Sequence, residues 1–225
     1  MIMEKSVLGV KIDDVSMNEA ISIVDGWLNN NGKHYIVTPN PEFLVTAKKN
    51  EHFKKILNNA DLAIPDGVGL KLGNIKNTIA GVDLMEKLIE LAAKKGYKAG
   101  LLGGKDGVAE KAAKELKKKY KGVKIVFVSG SLARSDVYPP VDLFFVALGH
   151  PKQEFWINEN LPKIPVKVAM GVGGAFDYLS GNVPRAPVFM RKLGIEWLFR
   201  LIIQPWRLKR QLKLFEYIWL LTKQS

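Results

Sequence analysis

The stretch DLFFVALGHPKQE (residues 142–154) indicates the fold most clearly, because an apolar run ends abruptly in a polar turn that begins with glycine. The predicted strand 142–148 begins with Asp142 and is apolar on both faces from residue 143 onward, which is typical of a buried strand in a parallel sheet. Segments of similar character predict six further strands. These lie near residues 6–11, 34–38, 61–65, 98–102, 123–128 and 166–171.

Between the predicted strands lie segments with helical periodicity. Residues 17–29, 41–59, 82–95 and 107–120 predict helices, and Ser16 is placed to cap the first of them. Strands that alternate with helices predict an α/β fold around a mostly parallel sheet. Near the C-terminus, residues 193–203 and 206–221 predict two more helices on either side of Pro205.

Polar or glycine-rich turns follow five of the predicted strands. They are Thr38–Pro41, Pro65–Gly67, Gly103–Lys105, Gly149–Glu154 and Gly171–Gly174. Open parallel sheets bind ligands at the carboxyl ends of their strands, so the sequence predicts a cleft along this edge. We assign to substrate binding there Gly67, Gly103, Gly104, Gly149, Gly173, Gly174, Asp177 and Arg185. Taken singly, the glycine pairs are more typical of tight turns, and Asp177 could equally form an internal ion pair with Arg185.

Asp66 is the sharpest candidate for a catalytic group, because it follows an apolar strand and no basic residue lies within four positions of it. A partly desolvated carboxylate on a rigid strand end can act as a general base. The alternative is a structural role, in which Asp66 caps the next helix or closes an Asx-turn. His34, His52 and His150 lack metal-ligand spacing and no Asp-x-Asp pair occurs, so we predict no metal site.

The positive charge of the chain is concentrated near its C-terminus. The 225 residues carry a formal charge of +12, and residues 185–225 hold nine Lys or Arg against two acids. The predicted helix over residues 206–221 combines an apolar stripe with Arg207, Arg210 and Lys213, which favours binding to an anionic membrane surface. A terminal helix docked on the core is an equal alternative. Charge alone also fits a phosphorylated substrate or nucleic acid.

Several kinds of site and segment are excluded or disfavoured. With no cysteine, the chain has no disulfides and no thiolate–zinc sites. We expect neither a signal peptide nor a membrane-spanning helix, since no apolar run reaches about 18 residues. The dinucleotide and P-loop glycine fingerprints are absent, and we expect no cofactor.

Five motifs, taken together, resemble the WecG/TagA/CpsF family of bacterial glycosyltransferases over about residues 7–212. They are TPNPEFL (38–44), IPDGVGL (64–70), ALGHPKQEFW (147–156), GVGGAFDYLSGNVPRAP (171–187) and GIEWLFRLIIQPWRLKR (194–210). The chain looks most like the teichoic-acid branch of the family. That branch transfers N-acetylmannosamine from UDP to N-acetylglucosamine on a diphosphate-linked undecaprenol carrier.

The resemblance implies a Rossmann-like α/β core over residues 1–193 and a C-terminal helical appendage over residues 194–225. It implies an inverting, metal-independent transfer, with the appendage completing the site and contacting the membrane. Asp66 matches the family's proposed base. The polar pocket residues of the family match Thr38, Asn40 and Gln153, and its appendage arginines, thought to approach the leaving diphosphate, match Arg200, Arg207 and Arg210.

Other functions remain open at this point. The donor could instead carry N-acetylmannosamine uronic acid or glucose, and Thr78 stands where relatives often have an arginine. A nicotinamide-dependent dehydrogenase and a nucleic-acid-binding module are rivals from other classes. We expect a cytoplasmic protein, peripheral on the inner face of the cell membrane, with no nucleic-acid partner; a homo-oligomer is left open.

Overall fold

The computed structural model describes residues 3–105, 107–132 and 137–223. In these ranges the strands are β1 (Glu4–Val7), β2 (Val10–Asp13), β3 (His34–Val37), β4 (Leu62–Ala63), β5 (Lys98–Gly103), β6 (Lys124–Ser129), β7 (Val141–Ala147) and β8 (Val166–Gly171). The helices are α1 (Met17–Leu28), α2 (Pro41–Lys49), α3 (Glu51–Asn58), α4 (Gly81–Lys95), α5 (Val108–Lys119), α6 (Lys152–Asn160), α7 (Ala175–Leu179), α8 (Val188–Lys192), α9 (Glu196–Ile203) and α10 (Leu208–Thr222). Short 3₁₀ helices cover Val68–Gly73, Leu161–Lys163 and Pro205–Arg207.

Six strands form one parallel sheet in the order β4-β3-β8-β7-β5-β6. The central strands are buried on both faces, with Phe144 and Phe145 of β7 fully inside. Helices cover both faces: α1, α4, α5 and α7 pack on one side, and α2, α3 and α6 on the other. The prediction of an α/β fold with a mostly parallel sheet flanked by helices is confirmed.

The prediction of a single strand over residues 6–11 is wrong. Leu8 and Gly9 have positive φ angles of 53° and 78°, so the chain reverses and β1 pairs with β2 as an antiparallel hairpin. The predicted helix over residues 41–59 is likewise two helices, because Asn50 leaves the helical conformation. Its side chain accepts the N–H of Phe53 and thereby begins α3.

The other predicted elements are present with shifted ends. Ser16 caps α1 through a reciprocal capping box with Glu19, as the sequence predicts. The helix predicted over 193–203 begins only at Glu196, because Gly194 adopts a positive φ of 74°. That glycine is required sterically, since a Cβ atom there would lie 2.4 Å from Val68. Beyond it, the predicted helix over 206–221 begins at Leu208 after a 3₁₀ turn.

Helix α10 packs on the rest of the protein through one face and leaves the other exposed. Tyr217 is fully buried in the cluster formed by β1, β2, α2 and α3. Glu42 of α2 pairs with Arg210 and Lys213, and Lys49 pairs with Glu216 at 2.6 Å. The docked-helix alternative is thus correct for one face. The large exposed apolar side chains on the other face are Leu208, Leu212, Phe215, Ile218 and Trp219.

Within the ranges that the structure describes, no helix combines the length and apolar character needed to cross a bilayer. The division of the chain at residue 193 stays a prediction.

Candidate active site

A pocket with a volume of about 430 Å³ opens at the carboxyl ends of β4, β3, β8 and β7, four strands that are neighbours in the sheet. This volume falls in the range of about 300–1,000 Å³ found for small-molecule sites. Most of the predicted site residues line it: Thr38, Asn40, Asp66, Gly67, Gly149, Gln153, Gly173, Gly174, Arg200, Arg207 and Arg210. Thr38 and Arg210, which are 172 positions apart in the chain, therefore share one cavity.

Four predicted site residues do not line this pocket. Gly103 ends β5 and Gly104 follows it, and β5 lies beyond β7, outside the group of four strands. Both have positive φ angles, and Cβ atoms there would lie 2.5 Å from the Ala147 carbonyl oxygen and 3.1 Å from Phe176. Their backbone conformation and close packing account for the glycines, as the tight-turn alternative predicted. A part for Gly103 and Gly104 in binding stays a prediction.

Arg185 and Asp177 are the other two residues outside the lining. The suggested ion pair between them is wrong, because the ion-pair partners of Arg185 within the described chain are Asp83 and Glu196. Its guanidinium meets both carboxylate oxygens of Asp83, at 2.5 and 2.8 Å. The predicted roles of Asp177 and Arg185 in substrate binding are not tested by these contacts.

Asp66 lies in the turn after β4, where its backbone N–H donates to the carbonyl oxygen of Pro39 at 2.8 Å. Gly67 follows with a positive φ of 89° and precedes a 3₁₀ helix that has no side-chain cap. The Asp66 carboxylate accepts the N–H of Gly81, the first residue of α4, so it bonds to the N-terminus of the next helix that the sequence predicts, as the structural alternative expects. The side chain of this partly buried residue faces the pocket.

The electrostatic surroundings of Asp66 suit a general base. Burial is the largest influence on the carboxyl of Asp66, whose pKa is raised to about 7. The hydrogen bond from Gly81 lowers this pKa. The charges of Glu196 and Asp83 raise it, and the charge of Arg200 lowers it. A group that titrates near neutral pH can accept a proton and release it again under physiological conditions. Perturbed carboxyls in a cleft are typical of functional sites.

Positive charge without counter-charge lies across the same pocket. Arg191, Arg200 and Arg207 all line it, and none of them has a carboxylate within ion-pair distance among the residues that the structure describes. The Nε atoms of Arg191 and Arg207 are buried there, and neither has a hydrogen-bond partner among the described residues. Burial and the charges of Arg200 and Arg210 lower the pKa of Arg207 to about 10. An anion bound between these groups would relieve their repulsion.

The guanidinium of Arg200 packs closely against the backbone of Gly174. Its guanidinium lies over the ring of Tyr178 at 4.6 Å, and a Cβ atom on Gly174 would lie 2.5 Å from its Nη2 atom. Glycine at position 174 therefore leaves the space that this guanidinium occupies. Arg210 differs from the other pocket arginines, because Glu42 holds it in an ion pair near the surface.

The polar residues predicted for the pocket also have structural contacts. Gln153 is only 2% exposed; its amide donates to Glu154 at 2.6 Å and accepts the N–H of Gly173 at 2.9 Å, which fixes the loop after β8. Asn40 caps α2 by accepting the N–H of Phe43, and Thr38 is buried beside Gly81. Their direct contact with substrate stays a prediction.

The sequence interpretation missed several pocket residues. They are Arg191, Asp83 and Glu196, which are recognised as pocket residues only from their neighbours in the folded chain. For Arg191, the arginine-rich C-terminal segment is a signal in the sequence. His150 hydrogen-bonds Thr46 at 3.0 Å and stacks on Phe43, as expected of a structural histidine. In the described part of the chain, no three His, Cys, Asp or Glu side chains form a group that could hold a metal ion.

Comparison with known proteins identifies the same family that the sequence motifs resemble. Residues 5–225 match the family described as "Glycosyl transferase WecG/TagA/CpsF family". Proteins from Bacillus spizizenii, Bacillus subtilis and Staphylococcus aureus (strain MRSA252) are 33%, 33% and 31% identical to the chain. The alignments cover 88%, 86% and 91% of this chain and 82%, 84% and 86% of the relatives. Each of the three is named N-acetylglucosaminyldiphosphoundecaprenol N-acetyl-beta-D-mannosaminyltransferase.

Proposed function

The chain belongs to the WecG/TagA/CpsF family of glycosyltransferases, and from this premise we propose that it transfers N-acetylmannosamine from UDP-N-acetylmannosamine. The proposed acceptor is the 4-hydroxyl of N-acetylglucosamine on undecaprenyl diphosphate, in the synthesis of the wall teichoic acid linkage unit. The names of the relatives support the acceptor and the sugar. The observation that carries the proposal is one pocket holding both a carboxyl that titrates near neutral pH and three guanidiniums without counter-charge.

In the proposed reaction, Asp66 accepts the proton of the attacking hydroxyl. The acceptor oxygen forms a bond to the anomeric carbon as the bond from that carbon to the UDP oxygen breaks, and the electron pair leaves with UDP. Attack from the face opposite the departing group inverts the anomeric centre. A positioned base typically contributes about 10²–10⁴-fold to the rate of such a step.

The departing diphosphate gains negative charge as the glycosyl bond breaks. Arg200 and Arg207 line the pocket with Asp66, and their charges are not neutralised by any described carboxylate. Preorganised cationic donors stabilise developing charge because they need no reorganisation during the reaction, and one such donor is worth about 3–4 kcal/mol. We assign Arg210 to the same task, for which it has to exchange its partner Glu42 for the phosphate. No metal ion is needed in this scheme.

A lipid-linked acceptor requires the pocket to open towards a membrane. Near it, α8, the residue that follows α8, α9 and the 3₁₀ turn after α9 carry exposed apolar side chains; they are Val188, Phe189, Leu193, Trp197, Ile202 and Trp206. With the exposed face of α10 and its basic flank, they form a surface suited to anionic lipid headgroups. We therefore propose that residues 194–225 bind the inner face of the cell membrane and complete the site.

Family membership removes the reason for considering a dehydrogenase or a nucleic-acid-binding module, whereas the donor sugar stays a proposal. The test is a panel of UDP-N-acetylmannosamine, its uronic acid counterpart and UDP-glucose, each assayed with a short-chain polyprenyl diphosphate carrying N-acetylglucosamine. We expect transfer from the first donor only. Equal or faster transfer from either of the others would contradict the assigned sugar but not the reaction class.

Membrane binding is tested separately by flotation with vesicles that contain anionic lipid. We expect the double variant Phe215→Ser/Trp219→Ser to lose binding and the intact protein to be released at high salt. Val126→Ser removes an exposed apolar side chain from β6, the edge strand outside the four that form the pocket, and is the control. Unchanged flotation of the double variant would contradict the proposed membrane surface.

A further inference from the structure

Arg185 connects two helices that contribute residues to the pocket, α4 and α9, although Arg185 itself does not line the pocket. It lies between α7 and α8, and its guanidinium forms a paired contact with Asp83 at the start of α4. Its Nε atom meets Glu196, the first residue of α9, at 3.5 Å. Arg185 is half-buried among these groups, so both contacts are partly shielded from solvent.

The two carboxylates that Arg185 neutralises belong to the pocket. Asp83 and Glu196 line it together with Asp66, and each of them disfavours the ionised form of Asp66. The other charged or polar groups that act on Asp66 are Arg200 from α9 and the N–H of Gly81 from α4. A like charge near a carboxyl acts more strongly when its own counter-ion is removed. The ionisation of Asp66 therefore depends on how well Asp83 and Glu196 are neutralised.

We infer that Arg185 is a positioning residue, which neutralises Asp83 and Glu196 beside Asp66 and fastens the start of α9 to the start of α4. It is not a direct ligand of the substrate in this assignment. The inference deepens the proposed function, because its consequence for the rate rests on Asp66 acting as the base. Its consequence for the charge of Asp66 does not depend on that function.

The variant Arg185→Gln removes the positive charge and leaves the two carboxylates without their counter-ion. We expect the Asp66 pKa to rise by about half a unit to one unit, in the direction that a net gain of negative charge dictates. The acid limb of the kcat/KM profile should move to higher pH by the same amount. Above that limb the rate should return to near the wild-type plateau, because the base itself is intact.

Two further variants separate charge from folding. Arg185→Lys keeps the charge and should leave the Asp66 pKa close to the wild-type value. The double variant Asp83→Asn/Arg185→Gln removes the carboxylate with the closest contact to Arg185, and it should restore much of the shift. Thermal melting of all variants checks that the full-length chain is folded.

The decisive readout is the titration of the Asp66 carboxyl by ¹³C NMR on the full-length protein, with Asp66→Asn identifying the resonance. An Asp66 pKa that is the same in wild type and Arg185→Gln overturns the inference, as does a uniform rate loss at every pH. If the pKa rises as expected while the pH–rate profile stays in place, the positioning role stands and the assignment of Asp66 as base fails.

Discussion

The ionisation of Asp66 makes a quantitative prediction about the pH dependence of transfer. With a pKa of about 7, the carboxyl is about 9% ionised at pH 6, half ionised at pH 7 and about 91% ionised at pH 8. If the ionised form is the base, kcat/KM rises about tenfold between pH 6 and pH 8 and then reaches a plateau. An ordinary aspartate, with a pKa near 4, would give a flat profile across this range.

The assay is initial-rate transfer to a soluble short-chain acceptor, measured from pH 5 to pH 9 at constant ionic strength. Glu196→Gln supplies a matched perturbation, because the charge of Glu196 raises the Asp66 pKa and its removal should move the acid limb to lower pH. Lys117→Gln changes charge at an exposed position of α5 outside the lining and serves as control. A flat profile between pH 6 and pH 8 would refute the reasoning.

Four further predictions follow from named contacts. First, Asp66→Asn should stabilise the fold at pH 8 but not at pH 4. Because the Asp66 pKa is raised in the folded state, the free energy of unfolding of the wild-type protein falls as pH rises from about 4 to about 7. The fall is at most about 4 kcal/mol, and it is smaller because the pocket is accessible to solvent. Denaturant melts at both pH values measure this, and a variant no more stable at pH 8 contradicts it. Second, Gly174→Ala should displace Arg200 and lower kcat about 10²-fold with little change in Tm. The control Gly26→Ala meets no atom within 4 Å inside α1, so it should leave kcat unchanged and raise Tm slightly; equal kcat in the two variants counts against the arrangement. Third, Tyr217→Ala should cost about 3–5 kcal/mol in chemical denaturation by opening a cavity under α10. Fourth, Tyr217→Phe should be neutral or stabilising, because the hydroxyl is buried without a hydrogen-bond partner in the described structure; a large loss would reveal a partner.

The sheet and the position of the site follow from local sequence properties. The apolar runs of β5, β7 and β8 identify buried parallel strands, and the carboxyl-end rule then brings the turns at Thr38, Asp66 and Gly173 to one pocket. The same rule cannot say which strands are neighbours. Gly103 was grouped with the other turns because strand order depends on long-range pairing, which no local pattern carries.

Other features could not be predicted, because they depend on contacts between distant segments. Arg185 could be placed near Asp177 from sequence spacing, but its partner Asp83 is 102 residues away. The apolar stripe of α10 is visible in the sequence, yet Tyr217, a fully buried side chain of that helix, is not among the residues that define it. A helix with apolar side chains on two faces has no single stripe that identifies its docked side.

The measurement that tests the central claim most directly compares turnover and UDP binding in Asp66→Asn at pH 8. Asp66 and the arginines border one pocket from different elements, so removal of the base should leave the diphosphate contacts intact. We predict that single-turnover transfer falls about 10²–10⁴-fold while the Kd for UDP changes by less than about threefold. Transfer within about threefold of the wild-type rate would contradict the account.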